Sequence, residues 1–207
     1  MAKLKLTYFD FDGGRAEPIR LALSIGKIPF EDIRFPPSEF AEVRKSMPLG
    51  QVPILELDGE VITQTNAILR YVGKQIGLYP EELLAALHCD ETLDTIDGIV
   101  AHVVPTMFIE NEDEKRKARE SLVAGPLTMY LGRLEAMLKA RGGEYFAGKR
   151  FSIADLKVFV WVRSLRSGLL DHVPTDLVNR LAPSVAAHCD RVAAHPGVAA
   201  YYKARGK

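Results

Sequence analysis

The chain has 207 residues, 47% of them hydrophobic and 26% charged, enough mass and apolar content for one large or two small globular domains with an ordinary core. Its 27 basic residues balance its 27 acidic ones with no long basic run. That balance excludes a general electrostatic attraction to nucleic acid or an anionic membrane, so an anionic ligand has to be held locally. The uninterrupted apolar runs are too short to span a bilayer. Cys89 and Cys189 make neither a C-x-x-C pair nor a metal-ligand pattern, and no signal-peptide pattern precedes the first strand, so a cytoplasmic, reducing compartment is expected.

Residues 3–9 alternate, with Leu4, Leu6 and Tyr8 on one face of a strand and Lys3, Lys5 and Thr7 on the other. The turn D-F-D-G-G-R follows, and then a helix with Ala16, Ile19 and Leu23 facing inward. Pro18 falls in its first turn, where amide hydrogens lack intrahelical partners, and Gly26 ends it. A second strand around Phe30 to Phe35 returns parallel to the first across this helical crossover. Pro36-Pro37 breaks the pattern, and a short helix with Ser38 as N-cap carries Phe40 and Val43 on one face.

From Gly50 the chain reads as strand, two-residue turn, strand and helix. Asp58-Gly59 suits a tight hairpin between Ile54–Leu57 and Val61-Ile62. Pro53 enters the third strand where a missing N–H costs no ladder bond, and Val52-Pro53 is a bond at which either isomer is open; a cis form turns the Val52 backbone outward to pair with an extended peptide. Thr65 is expected to cap a helix with Ile68, Leu69, Val72 and Ile76 on one face and Gly77 as its stop, which puts an anion-binding helix end beside a sheet. The result is an α/β, thioredoxin-like arrangement with a mixed four-stranded sheet over residues 1–79.

After Leu78-Tyr79-Pro80 the alternating segments stop. A long helical pattern runs through Val104, another from about Lys115 to Arg141, and a third opens at Ser152. Ser152-Ile153-Ala154-Asp155 has capping-box form, with Phe151 and Leu156 spaced as a hydrophobic staple, and its helix is apolar almost all round. An all-α second domain over residues 80–207 is expected. His88, Cys89, His188 and Cys189 lie in helical pattern without metal spacing, so no metal is expected.

Tyr8 at the end of the first strand, Q-V-P-I-L, Gln64-Thr65 and S-I-A-D in an all-helical half together resemble the cytosolic glutathione transferases, and L-T-Y-F-D-F-D-G-G-R-A-E resembles most the sigma class. The resemblance implies that Tyr8 donates a hydrogen bond to the glutathione sulfur. For a thiol titrating near 8.5, lowering by about two units, roughly 2.7 kcal/mol, makes the thiolate abundant at neutral pH. It implies that Arg15 supports that ionisation, that Gln64 and Thr65 hold the γ-glutamyl end, and that the Val52 backbone, held by Pro53, pairs with the cysteinyl amides. Gln51 and Arg44 stand where the class places polar contacts to the glycyl carboxylate, and Phe40 replaces a common tryptophan, keeping the packing without an indole donor. The loop before Arg15 is one residue longer than the usual form.

The resemblance also implies a homodimer, an acidic residue such as Asp97 reaching the partner subunit's glutathione, and an apolar electrophile held between the Asp10–Gly14 loop and the first long helix near Val104 to Phe108. The implied activity is attack of the thiolate on a small hydrophobic electrophile. Alternatives are a glutathione-dependent isomerase or peroxidase, and a non-catalytic binding or structural protein, against which the intact Tyr8, Gln64 and Thr65 argue. No cysteine near the first strand supports disulfide exchange.

Overall fold

The computed structural model describes residues 3–206 and divides at Tyr79/Pro80 into two compact units. Met1, Ala2 and Lys207, which the expected domain limits include, lie outside the described residues. The first unit opens with β1 (Leu4–Phe9), in which Leu4, Leu6 and Tyr8 are buried as their alternation demands. β1 pairs parallel with β2 (Glu31–Phe35) and antiparallel with β3 (Ile54–Leu57), which pairs antiparallel with β4 (Glu60–Ile62). The sheet order is β2-β1-β3-β4, a mixed thioredoxin-like sheet. The hairpin turn has φ 49° at Asp58 and 93° at Gly59, the positive values that let a two-residue turn match the strand twist.

α1 (Glu17–Ile25) and α3 (Thr65–Gln75) pack on each other. Gly26 caps α1 with an ordinary right-handed backbone, and the residue at positive φ is Lys27. What requires glycine at position 26 is contact: an added Cβ meets Ile76 Cγ2 at 2.2 Å. Two expected caps fall elsewhere. Pro37 opens a 3-10 turn through Glu39, so Ser38 lies inside that turn, ahead of α2 (Phe40–Val43). At α3 the chain reverses at Gln64, with φ 73°, which takes the cap position and makes Thr65 the first helical residue.

The second unit is all helical: α4 (Leu83–Val103), α5 (Glu112–Leu122), α6 (Thr128–Ala140), α7 (Ile153–Arg166), α8 (Leu177–Leu181) and α9 (Pro183–Ala193). Glu82 caps α4 by accepting from the amides of Leu84 and Ala85. The pattern expected from Lys115 to Arg141 is two helices. Asn111 caps α5 ahead of Lys115, and the segment containing Pro126, which has no N–H, widens into a π turn over Val123–Leu127. There the Thr128 hydroxyl donates to the Val123 carbonyl at 2.6 Å. α7 is buried almost all round and packs on α4 and α9. Its capping box is present, and Asp155 accepts from the Ser152 amide, the Ser152 hydroxyl, the Phe146 amide and His188 Nε2, each at 2.8 Å.

The expected second domain ran to the end of the chain, but α10 (Pro196–Lys203) belongs to the first unit. It buries Val198, Tyr201 and Tyr202, and it packs on α1. Among the described residues no helix is long and apolar enough to cross a membrane.

Candidate functional site

The strand register assembles the first unit's site residues along one end of the sheet. Thr7 of β1 lies opposite Ile54 of β3, so Tyr8 stands one step on, level with Pro53 and Val52. Leu55 pairs with Ile62, and β4 then leads through Thr63 into Gln64 and Thr65 at the start of α3. The same sheet end therefore gathers Tyr8, Val52-Pro53 and Gln64-Thr65, with Val52, Pro53 and Thr65 buried and Gln51 and Gln64 exposed. The Val52-Pro53 bond is cis. Gln64 holds a positive φ that few side-chain-bearing residues adopt, and its side chain makes no cap hydrogen bond to the helix behind it.

Tyr8 is the centre of this end. It is 5% exposed, and its hydroxyl accepts a hydrogen bond from the Arg15 main-chain amide at 3.1 Å. Burial raises the Tyr8 pKa; the Arg15 amide and the charges of Arg15 and Arg20 pull it back without cancelling the rise. The phenol thus keeps its proton and is free to donate it in a hydrogen bond. The Phe9 and Phe11 rings flank Tyr8 at 5.0 and 5.7 Å.

Residues that the pattern of the sequence did not single out hold this arrangement. Gly14 sits at φ 64°, and a Cβ there falls 2.6 Å from the Tyr8 hydroxyl, so the loop can approach only as glycine. Arg20 is completely buried, with its guanidinium 5.8 Å from the Tyr8 ring centroid. It donates to Asp32 at 3.0 Å and to the carbonyls of Phe11 and Phe9 at 3.2 and 3.5 Å. The only sequence signals for it are the i,i+3 spacing of Glu17 and Arg20 and the acidic Asp32 on the neighbouring strand.

Phe40 packs on Phe9 at 5.1 Å and Phe35 at 6.4 Å, with the Arg44 guanidinium 5.4 Å from its ring centroid, while Arg44 remains exposed. Gly50 lies against Arg44, since a Cβ on it falls 3.5 Å from the Arg44 guanidinium. Asp97 belongs to the other unit, on α4, where it forms an ion pair with Lys157 of α7 at 2.6 Å. Among the described residues no group of three or more His, Cys, Asp or Glu side chains is placed to hold a metal ion. Burial pushes the Cys89 thiol up to about 12 and Cys189 up to about 11, so neither is a ready nucleophile.

Residues 4–74 match the family model described as glutathione S-transferase, N-terminal domain, and residues 98–205 match that of the glutathione S-transferase, C-terminal domain. The chain belongs to the glutathione S-transferase family. Within it the transferase is 32% identical over 207 residues to the hematopoietic prostaglandin D synthase of Gallus gallus, covering 100% of this chain and 98% of that one. It is 33% identical over 161 residues to glutathione S-transferase 1 of Ascaris suum, covering 76% and 78% of the two chains. The solved structure of prostaglandin synthase D of Nilaparvata lugens superposes with a TM-score of 0.86 at 29% identity, covering 97% of each chain. The transferase therefore resembles the sigma class, and glutathione is its co-substrate.

Proposed function

We propose that this glutathione S-transferase generates the nucleophile through Tyr8: the phenol donates to the glutathione sulfur and favours its thiolate, which attacks an electrophilic carbon of a small hydrophobic substrate. What supports the reading is the Tyr8 hydroxyl itself, buried, protonated and already accepting from the Arg15 amide, since a hydroxyl that accepts one hydrogen bond donates a stronger one. Gln64, Thr65 and the positive end of α3 receive the γ-glutamyl carboxylate, the Val52 main chain pairs with the cysteinyl amides, and Arg44 and Gln51 reach the glycyl end, with Phe40 as packing. Arg15 adds positive charge near the sulfur. The enzyme acts in the cytoplasm as a homodimer, for which exposed Leu83, Leu84 and Leu87 of α4 supply apolar surface, and Asp97 reaches the partner's glutathione by sharing its carboxylate with Lys157.

A second reading, glutathione-dependent isomerisation with the same thiolate and no net conjugation, is favoured by the full-length similarity to the Gallus gallus prostaglandin D synthase. Product analysis separates the two. The test of the shared step is the rate with glutathione and chlorodinitrobenzene for wild type and Tyr8→Phe as a function of pH. Losing one hydrogen bond to a charged sulfur lowers the rate about 10- to 100-fold below the free thiol's pKa, with convergence above it. Equal rates at every pH remove Tyr8 from the mechanism.

A further inference from the structure

The loop from Asp10 to Gly14 brings the Arg15 amide onto Tyr8, yet its own chain gives it little rigidity. Gly13 and Gly14 adjoin at φ 116° and 64°, and Phe11 is 41% exposed. The first half of the loop is tied down by the Asp10 amide on the Phe35 carbonyl at 2.8 Å and by Arg20 on the Phe11 carbonyl at 3.2 Å, and its second half is held by charge. Asp12, with its side chain 16% exposed, accepts from Arg34 Nη1 at 3.3 Å, and Arg34 also lies 3.6 Å from Asp10. Arg205, just past α10, approaches the same carboxylate oxygen, its Nε 3.9 Å from Asp12 Oδ1 and its Nη2 3.9 Å from Asp32. Arg205 is itself fixed by stacking on the buried Tyr201 ring, 4.0 Å from its centroid. Asp32 closes the cluster by accepting from Arg34 at 2.8 Å and from Arg20 at 3.0 Å.

We propose that Asp12, gripped by Arg34 of β2 and by Arg205 at the C-terminal end of the chain, is a positioning residue for thiol activation, holding the Asp10–Gly14 loop so that the Arg15 amide stays on the Tyr8 hydroxyl. The inference rests on the reading of Tyr8 as thiol donor and extends it to residues that touch neither glutathione nor Tyr8. The charged groups facing Asp12 include Arg34 from β2 and Arg205 after α10, with Asp10 and Asp32 sharing those cations; those facing Tyr8 include Arg15 and Arg20. Removing the Asp12 charge loosens the Asp12–Gly14 half of the loop, lengthens the hydrogen bond from the Arg15 amide into Tyr8, and weakens the bond Tyr8 makes to sulfur. A role confined to folding lowers the melting temperature without moving the thiol's titration.

The experiment measures kcat/KM for glutathione with chlorodinitrobenzene across pH, together with the ultraviolet thiolate absorbance of bound glutathione. The proteins are full-length wild type, Tyr8→Phe, Asp12→Asn, Asp12→Glu, Arg205→Gln, the Asp12→Asn/Arg205→Gln double variant, and Lys203→Gln as a control on exposed charge. Cooperative strengthening of one hydrogen bond by roughly 10–30% corresponds to about threefold. Asp12→Asn is therefore expected to move the acid limb up by about half a unit, a loss of about threefold well below the bound thiol's pKa that disappears above it. Asp12→Glu restores part of the loss, Arg205→Gln moves the limb less, and the double variant equals Asp12→Asn because Arg205 acts through that carboxylate. Lys203→Gln matches wild type. An unmoved limb in a folded Asp12→Asn protein, or a loss equal at all pH values, overturns the proposal while a shifted Tyr8→Phe profile leaves the Tyr8 reading standing. A Tyr8→Phe profile identical to wild type overturns both.

Discussion

The main-chain amide of Arg15 donates to the hydroxyl of Tyr8 at 3.1 Å, joining the turn after β1 to the buried phenol at that strand's end. The contact brings backbone within reach of an oxygen that any side chain at position 14 would strike. Gly14→Ala therefore both displaces the Arg15 amide and forces alanine to φ 64°, a region costing about 1–2 kcal/mol for a residue with a Cβ. The expected outcome is a loss of at least about tenfold in kcat/KM for glutathione, with a melting temperature lowered by only a few degrees. Steady-state kinetics and a melting curve on the same preparation check it.

Arg20 is a buried cation whose partners are Asp32 and the carbonyls of Phe9 and Phe11, with Glu17 3.6 Å away. Replacing it by methionine removes the donor from those acceptors and leaves the fully buried Glu17 carboxylate without its cation. Breaking a buried pair from one side costs about 3–5 kcal/mol. Urea unfolding of Arg20→Met should show a loss of that size, and Arg20→Lys, a point charge without the fork, should recover only part of it.

Glu135 of α6 reaches the start of α9, accepting from the amides of Ser184 and Val185 at 3.0 and 3.1 Å and pairing with Lys139 at 2.9 Å. Burial works to raise its pKa, but the Lys139 pair and the two amides outweigh it and hold the carboxyl below its ordinary 4.5. A folded value below the unfolded one means stability that is complete above about pH 4.5 and lost as pH falls through the folded value. Glu135→Gln should thus cost about 1–2 kcal/mol at pH 7, and the gap to wild type should close on acidification toward pH ~3. Denaturant titrations at the two pH values decide it.

Asp155 accepts four hydrogen bonds from groups on three segments, and its carboxylate is fully buried. Truncation to alanine strands two amides, a hydroxyl and His188 Nε2 away from water, an expected loss of about 3–5 kcal/mol. A urea midpoint within experimental error of wild type would contradict this account of how α7 is anchored.

Gly26→Ala places a Cβ 2.2 Å from Ile76 Cγ2, and a branched side chain there has little room to swing aside. Overpacking of this kind costs about 1–3 kcal/mol. Ile76→Ala in the same protein should give part of that back, so the double variant should be more stable than the sum of the single changes, read from paired unfolding curves.

What the sequence by itself determined are features written within a few residues of one another. Alternation put Leu4, Leu6 and Tyr8 on the buried face, Asp58-Gly59 specified the hairpin, and Ser152 through Asp155 announced the start of α7. The order of these motifs with Gln64-Thr65 was enough to indicate the glutathione S-transferase family. Only the tertiary structure decided which distant residues would meet. Arg20 is buried because β2 delivers Asp32 to it, and Gly26 must be glycine because Ile76 arrives from another helix. Pro126 divides an apparently continuous helix because a proline's cost depends on whether a π turn and the Thr128 hydroxyl can absorb it. The last helix joins the sheet unit because its buried tyrosines find α1. Periodicity and turn chemistry act over one or two turns of chain, whereas the pairing of buried charges and the closeness of two backbones depend on neighbours that only folding brings together.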